Sequence, residues 1–353
     1  MSFPNRDQTY DDHVTKIFLD CLTSETPKYR NPWVDGKGPT PFGQYNPLTS
    51  KQYRGSNQVL LTAIAIQRGY DDDRWLGMNQ GGSLGGRVRK GEKGTLLRYF
   101  REIEVEVTNK DGEKEIEKRK KPYYSYVWNA SQFNGLPVRP QIDMSKTADM
   151  MHAEAQAVVD RLGVPVFHDT NQKAYYDSRK DEIHLPPTDK FRSKNDFWAT
   201  LLHECAHATG HSSRRNRDMR SSKDDIKLYA REELRAEIAS MMMAQRIGGL
   251  QPPIDQHQAY VKHWVEILTD KPGEIIKACS DAEMICFDLG VHAPEHERLT
   301  PKEQTPEQKA KVEQGVAKIK EIEAESQKRA RTRKSPTKPP TRRAPEQAQA
   351  QSR

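Results

Sequence analysis

Residues 203–207 read His203-Glu204-Cys205-Ala206-His207 and follow the apolar run Phe197-Trp198-Ala199-Thr200-Leu201-Leu202. This pattern predicts an α-helix, whose period of 3.6 residues sets side chains at i and i+4 one turn apart on a single face. Two imidazoles so placed can reach one tetrahedral metal ion, and Glu204 beside them can hold a water against it. The chemistry implied is metal-dependent hydrolysis of the peptidase kind, with Glu204 as general base and zinc as the expected ion; manganese suits the same donors.

Such a site needs a third ligand on another element. Ser213 stands where a metzincin would carry its third histidine, and His211 comes two residues too early, so that arrangement is excluded. The segment from Tyr229 to Ile247 predicts a second helix, stopped by Gly248-Gly249, with an apolar stripe through Leu234, Ile238 and Met242. Glu233 and Glu237 are again i and i+4. Their spacing resembles that of glutamate-type zincins, in which the first acid binds metal. Glu233 is therefore read as the ligand and Glu237 as the group that orients a histidine through its free ring nitrogen. The segment from Ala174 to Pro187 reads as a hairpin with a charged turn. In zincin folds such a strand lies beside the active-site helix and offers its edge to an extended peptide. Tyr229, His211 and Arg214 are positional candidates for oxyanion stabilisation.

These elements sit in a chain of 353 residues with mean hydropathy −0.94 and formal net charge +7. That supports two modest domains with polar tails rather than one large core. The positive excess lies in residues 1–140 and in the last 26 residues, while the intervening part is mildly acidic. Attraction to nucleic acid is expected of the first segment and the tail. Cys21, Cys205, Cys279 and Cys286 show no metal or redox spacing, which points to a reducing cytoplasm. No apolar run is long enough to span a bilayer, so no membrane partner is expected.

Within residues 1–140, helices are predicted near Asp11 to Thr23 and Asn57 to Arg68. A glycine-rich basic stretch, Gly81 to Arg101, precedes an alternating strand at Ile103 to Val107, a polar turn at Asn109 to Gly112 and a return strand at Tyr123 to Trp128. Curved antiparallel strands with basic and aromatic side chains suit single-stranded DNA, by phosphate neutralisation and base stacking. Trp33, Tyr53, Trp75 and Tyr99 are the candidate stacking residues. Arg54, Arg87, Arg89, Lys90 and Lys93 are the candidate phosphate contacts. No G-x-x-x-x-G-K-[ST] phosphate loop is present.

In order, Pro32-Trp33, Tyr53-Arg54-Gly55-Ser56-Asn57, Gly69-Tyr70, Arg74-Trp75-Leu76, Gly85 to Thr95, Val127-Trp128-Asn129 and Gly135-Leu136-Pro137 resemble the amino-terminal domain of ArdC-type antirestriction proteins. Leu201 to Arg214 and Tyr229 to Glu237 look like the second half of that family. The resemblance covers roughly residues 10 to 290. It implies a single-stranded-DNA-binding domain joined to a zincin-like metallopeptidase domain, in a protein that mobile elements carry to protect incoming DNA from host restriction. Cys205 departs from the aliphatic residue usual at its position.

The reading is thus an α+β chain: a DNA-binding domain over 1–140, a gluzincin-type domain over 141–295, and a charged helix with a disordered basic tail over 296–353. The tail is compatible with nonspecific DNA contact or with a solubilising role. Peptide substrates would be DNA-bound proteins of the host or of the element, brought close by tethering. Two rival readings stand beside this one. One is a protective DNA-binding protein with a vestigial zincin domain. The other is a SprT-like protease acting on DNA–protein crosslinks.

Overall fold

The computed structural model describes residues 6–23, 43–108, 113–139, 148–170, 173–219, 225–248, 258–293 and 299. Trp33 and the tail from 300 onward lie outside the described residues.

The amino-terminal part runs α1 (Arg6–Leu22), β1 (Tyr45–Asn46), β2 (Lys51–Gln52), α2 (Gly55–Arg68), β3 (Trp75–Leu76), α3 (Met78–Ser83), β4 (Arg87–Val88), β5 (Thr95–Thr108), β6 (Lys114–Asn129) and β7 (Phe133–Asn134). α2 ends on Gly69 in the left-handed region, where φ is 65° and only glycine sits without strain. Its apolar residues Val59, Leu60, Leu61 and Ile64 are buried.

β5 and β6 form one long antiparallel ribbon, paired from Thr95↔Val127 to Thr108↔Lys114. Both strands are longer than their apolar alternation predicted. The Glu- and Lys-rich segment before Tyr123 lacks the composition of a strand. Here, though, Glu102 and Glu104 stand directly opposite Lys120 and Lys118, and opposite-charge cross-strand pairs stabilise an exposed sheet. The glycine-rich stretch is also more ordered than a turn, containing the short α3 and β4, which pairs with β7.

The second part runs α4 (Ala148–Leu162), β8 (Val166–Phe167), β9 (Tyr175–Asp177), β10 (Glu182–His184), α5 (Lys194–Ala208), α6 (Ile226–Ile247), α7 (Gln258–Asp270) and α8 (Gly273–Asp288). The small sheet has the order β8-β10-β9, with β8 parallel and β9 antiparallel to β10. α5 packs against α4, α6, β9 and β10, and α6 packs against α7 and α8.

α8 also packs against α1 and α2, so Tyr10, Val14, Leu60 and Ile64 share one hydrophobic core with Leu202, Met242, Ile275 and Ile285. Polar contacts reinforce that junction. The Glu283 carboxylate on α8 accepts from the Gly55 backbone N–H at 3.1 Å and from Arg246 at 2.8 Å. Among the described residues no helix is long and apolar enough to cross a membrane.

Candidate metal centre

α5 starts at Ser193, whose hydroxyl accepts from the Asp196 backbone N–H at 3.1 Å. Leu201, Leu202, Cys205 and Ala208 bury its core side. That orientation leaves His203 and His207 facing α6. α6 is capped by Asp225, which accepts from the N–H groups of Lys227 and Leu228, and it ends at Gly248. Its packing on α5 brings Glu232, Glu233 and Glu237 against the two imidazoles.

The Nε2 atoms of His203 and His207 stand 3.1 Å apart, and each lies 3.5 Å from an oxygen of Glu233. Ligands held at about 2.0–2.2 Å around a tetrahedral ion are separated by roughly 3.4 Å. The donor set of two imidazoles and one carboxylate thus fits a divalent metal in both chemistry and spacing. Among the described residues, it is the one group of three or more such side chains whose ligand atoms converge in this way.

The opposite ring nitrogens are occupied by carboxylates. His203 Nδ1 lies 3.5 Å from Glu237 Oε2, and His207 Nδ1 lies 3.4 Å from Glu232 Oε1. Each contact favours the tautomer that turns Nε2 toward the shared centre. Glu232 is nearly fully buried and is itself held by Arg217. Neither residue is singled out by the sequence. The glutamate reads as half of an ordinary Glu-Glu pair on a charged helix, and Arg217 falls in a basic loop without periodicity.

Charge and burial compete at this centre. Burial alone would lower both histidine pKa values, but Glu233 and Glu237 raise His203 well above its ordinary value, while Glu233 and Glu232 bring His207 to about 9. Burial opposes ionisation of Glu233, yet the two histidines hold it well below the usual carboxylate range. Glu204 goes the other way. Its burial raises its pKa, and the adjacent histidines and the Tyr176 backbone N–H on β9 only partly offset the rise.

The residues considered for the oxyanion have other contacts. Arg214 donates to the Ala208 carbonyl at 2.7 Å and forms an ion pair with Asp181, which also accepts from the Tyr176 hydroxyl. It ties the end of α5 to the β9–β10 hairpin. Asp181 holds φ at 60° in that turn. His211 contacts Ser213 at 2.8 Å.

The DNA candidates divide. Arg54, Arg87, Lys90 and Lys93 are exposed. Arg89 is exposed but spent on the Ser131 carbonyl and on Glu92. Tyr99 is half-buried and stacks on Tyr123 across the ribbon, with ring centroids 5.8 Å apart. Tyr53 packs on the core and donates its hydroxyl proton to the Trp75 carbonyl at 3.0 Å. Trp75 corrects the expectation outright: it is 0% exposed, and its indole N–H donates to Gln44. A ring closed in on all sides cannot stack on a base.

Two family models match the chain, the N-terminal domain of anti-restriction factor ArdC over residues 8–129 and a zincin-like metallopeptidase over residues 153–281. A DNA primase TraC of Escherichia coli is 33% identical over 290 residues, which cover 78% of this chain and 26% of the relative. A second TraC is 34% identical over 19% of its own length, so the chain spans about a quarter or less of those primases. The uncharacterized protein y4eC of Sinorhizobium fredii is 30% identical, with 78% of this chain and 89% of the relative covered. Among solved structures, the metal-free antirestriction ArdC protein from the R388 plasmid superposes with a TM-score of 0.63 at 35% identity, over 79% of this chain and 96% of that one. Its Mn(II)-bound form superposes with a TM-score of 0.62. In fold and sequence alike, the chain belongs to the ArdC family of antirestriction proteins.

Proposed function

We propose that this antirestriction protein binds single-stranded DNA and hydrolyses peptide bonds in proteins held on that DNA. The convergence of His203, His207 and Glu233 carries the reading. These residues would hold a divalent ion, zinc or manganese, with Glu237 orienting His203. The ion supplies Lewis-acid polarisation of the scissile carbonyl when bound. Glu204, with its raised pKa, takes a proton from the attacking water and passes it to the leaving amine. The relative crystallised with Mn(II) supports a divalent ion as the cofactor. The exposed Arg54, Arg87, Lys90 and Lys93 support DNA binding by residues 1–140, and residues 141–295 form the hydrolytic segment. The bacterial cytoplasm, where incoming DNA meets restriction enzymes, is the compartment this reading requires.

The test is Glu204→Ala in a restriction-protection assay, with metal and DNA affinity measured on the same protein. Lost protection with both affinities intact is expected. Full protection would instead favour a shield whose zincin fold performs no hydrolysis.

A further inference from the structure

Alternate residues of a strand share a face, so the β5–β6 register sorts its aromatics onto two sides. Tyr99 and Tyr123 occupy one side, stacked together beneath the Arg101 guanidinium. On the other, Trp128, Tyr126 and Tyr124 follow one another along β6, with Phe100 farther out opposite Pro122. Tyr126 and Phe100 are each 57% exposed, an unusual state for rings with so much apolar surface.

Trp128 backs the near end of this row, its ring 6.5 Å from that of Tyr126. The loop carrying Lys90 and Lys93 reaches this indole. A Cβ added at Gly94 would meet the Trp128 ring at 2.8 Å, so the loop backbone packs closely against it. Lys90 and Lys93 are exposed and form no ion pair among the described residues.

We propose that this face is a base-stacking platform for single-stranded nucleic acid, with Tyr126 and Phe100 as the stacking rings and Lys90 and Lys93 as phosphate contacts at its end. The inference rests on the DNA-binding reading above and gives it a location. A single strand fits better than a protein partner, because two exposed rings on one face, with exposed lysines that form no ion pair among the described residues at its end, match bases and phosphates together. Farther along the ribbon, Glu102 and Glu104 stand opposite lysines on this same face, so its positive charge is concentrated at the loop end.

The experiment is fluorescence anisotropy with a labelled oligothymidylate and the full chain. Phe100→Thr with Tyr126→Thr keeps β-branched residues in the strands and is expected to weaken binding about thirtyfold, for two lost stacks. Lys90→Gln with Lys93→Gln, on an exposed loop that leaves folding intact, should reduce the salt slope of log affinity by about 1.4. Tyr123→Thr, on the opposite side, should change affinity less than twofold. Unchanged binding by both double variants, or an equal loss in Tyr123→Thr, overturns the platform while the DNA-binding reading stands. Absence of binding by the unmodified protein overturns that reading and the platform with it.

Discussion

Arg217 and Glu232 meet in a two-point ion pair behind His207, with Nε 3.0 Å from Oε2 and Nη2 2.8 Å from Oε1. The same guanidinium donates to Thr209 Oγ1 at 2.8 Å and to the Ala206 carbonyl at 2.7 Å. One side chain therefore neutralises a buried carboxylate of α6 and satisfies the end of α5. It holds in place the carboxylate that faces His207 Nδ1.

Glu232→Gln preserves volume but removes the charge facing His207 Nδ1. We predict that affinity for zinc, measured by chelator competition, falls about 10- to 100-fold while the fold persists. Unaltered affinity would mean that this carboxylate does not orient the ligand. Arg217→Leu should act on stability instead. It leaves Glu232 buried without its guanidinium, a loss of about 3–5 kcal/mol in urea unfolding.

Trp75 is a core residue, so Trp75→Ala is predicted to cost about 3–5 kcal/mol of stability. The protein that remains folded should bind oligothymidylate as the unmodified chain does. A selective loss of DNA affinity without destabilisation would contradict the burial observed here.

Burial raises the pKa of Asp73 to about 6, with Arg139 at 3.1 Å opposing the rise. The unfolded chain should titrate this group near about 3.9. The folded state therefore holds the proton more tightly, and stability from this group is greatest below pH 4 and is lost as pH rises to 6. A neutral Asp73→Asn variant lacks that dependence. Between pH 4 and 7 the unmodified protein should lose roughly 2 kcal/mol relative to the variant. Parallel stability curves for the two proteins would refute the assignment.

Glu283 joins α8 to the start of α2 and to Arg246, whose side chain is only 3% exposed. Glu283→Ala strands that guanidinium and should cost about 3–5 kcal/mol. Because the two parts share one core, unfolding followed by tryptophan fluorescence and by far-ultraviolet dichroism should give coincident transitions. Separate transitions would show that residues 1–140 and 141–295 are thermodynamically independent.

The sequence by itself determined what is local. His203, Glu204 and His207 are readable because helix geometry alone joins i to i+4, and Glu233 with Glu237 follows by the same rule on a second helix. Tertiary packing decided the rest. The rotation of α6 against α5 makes Glu233 rather than its neighbours meet both Nε2 atoms, and gives Glu232 to His207 and Glu237 to His203. Arg217 reaches the centre through a loop whose path no periodicity describes. Trp75 and Tyr126 are both aromatic residues in strands, yet one lies in the core and the other faces solvent. Strand alternation says that two sides exist, but only the helices packed beneath them decide which side water can reach.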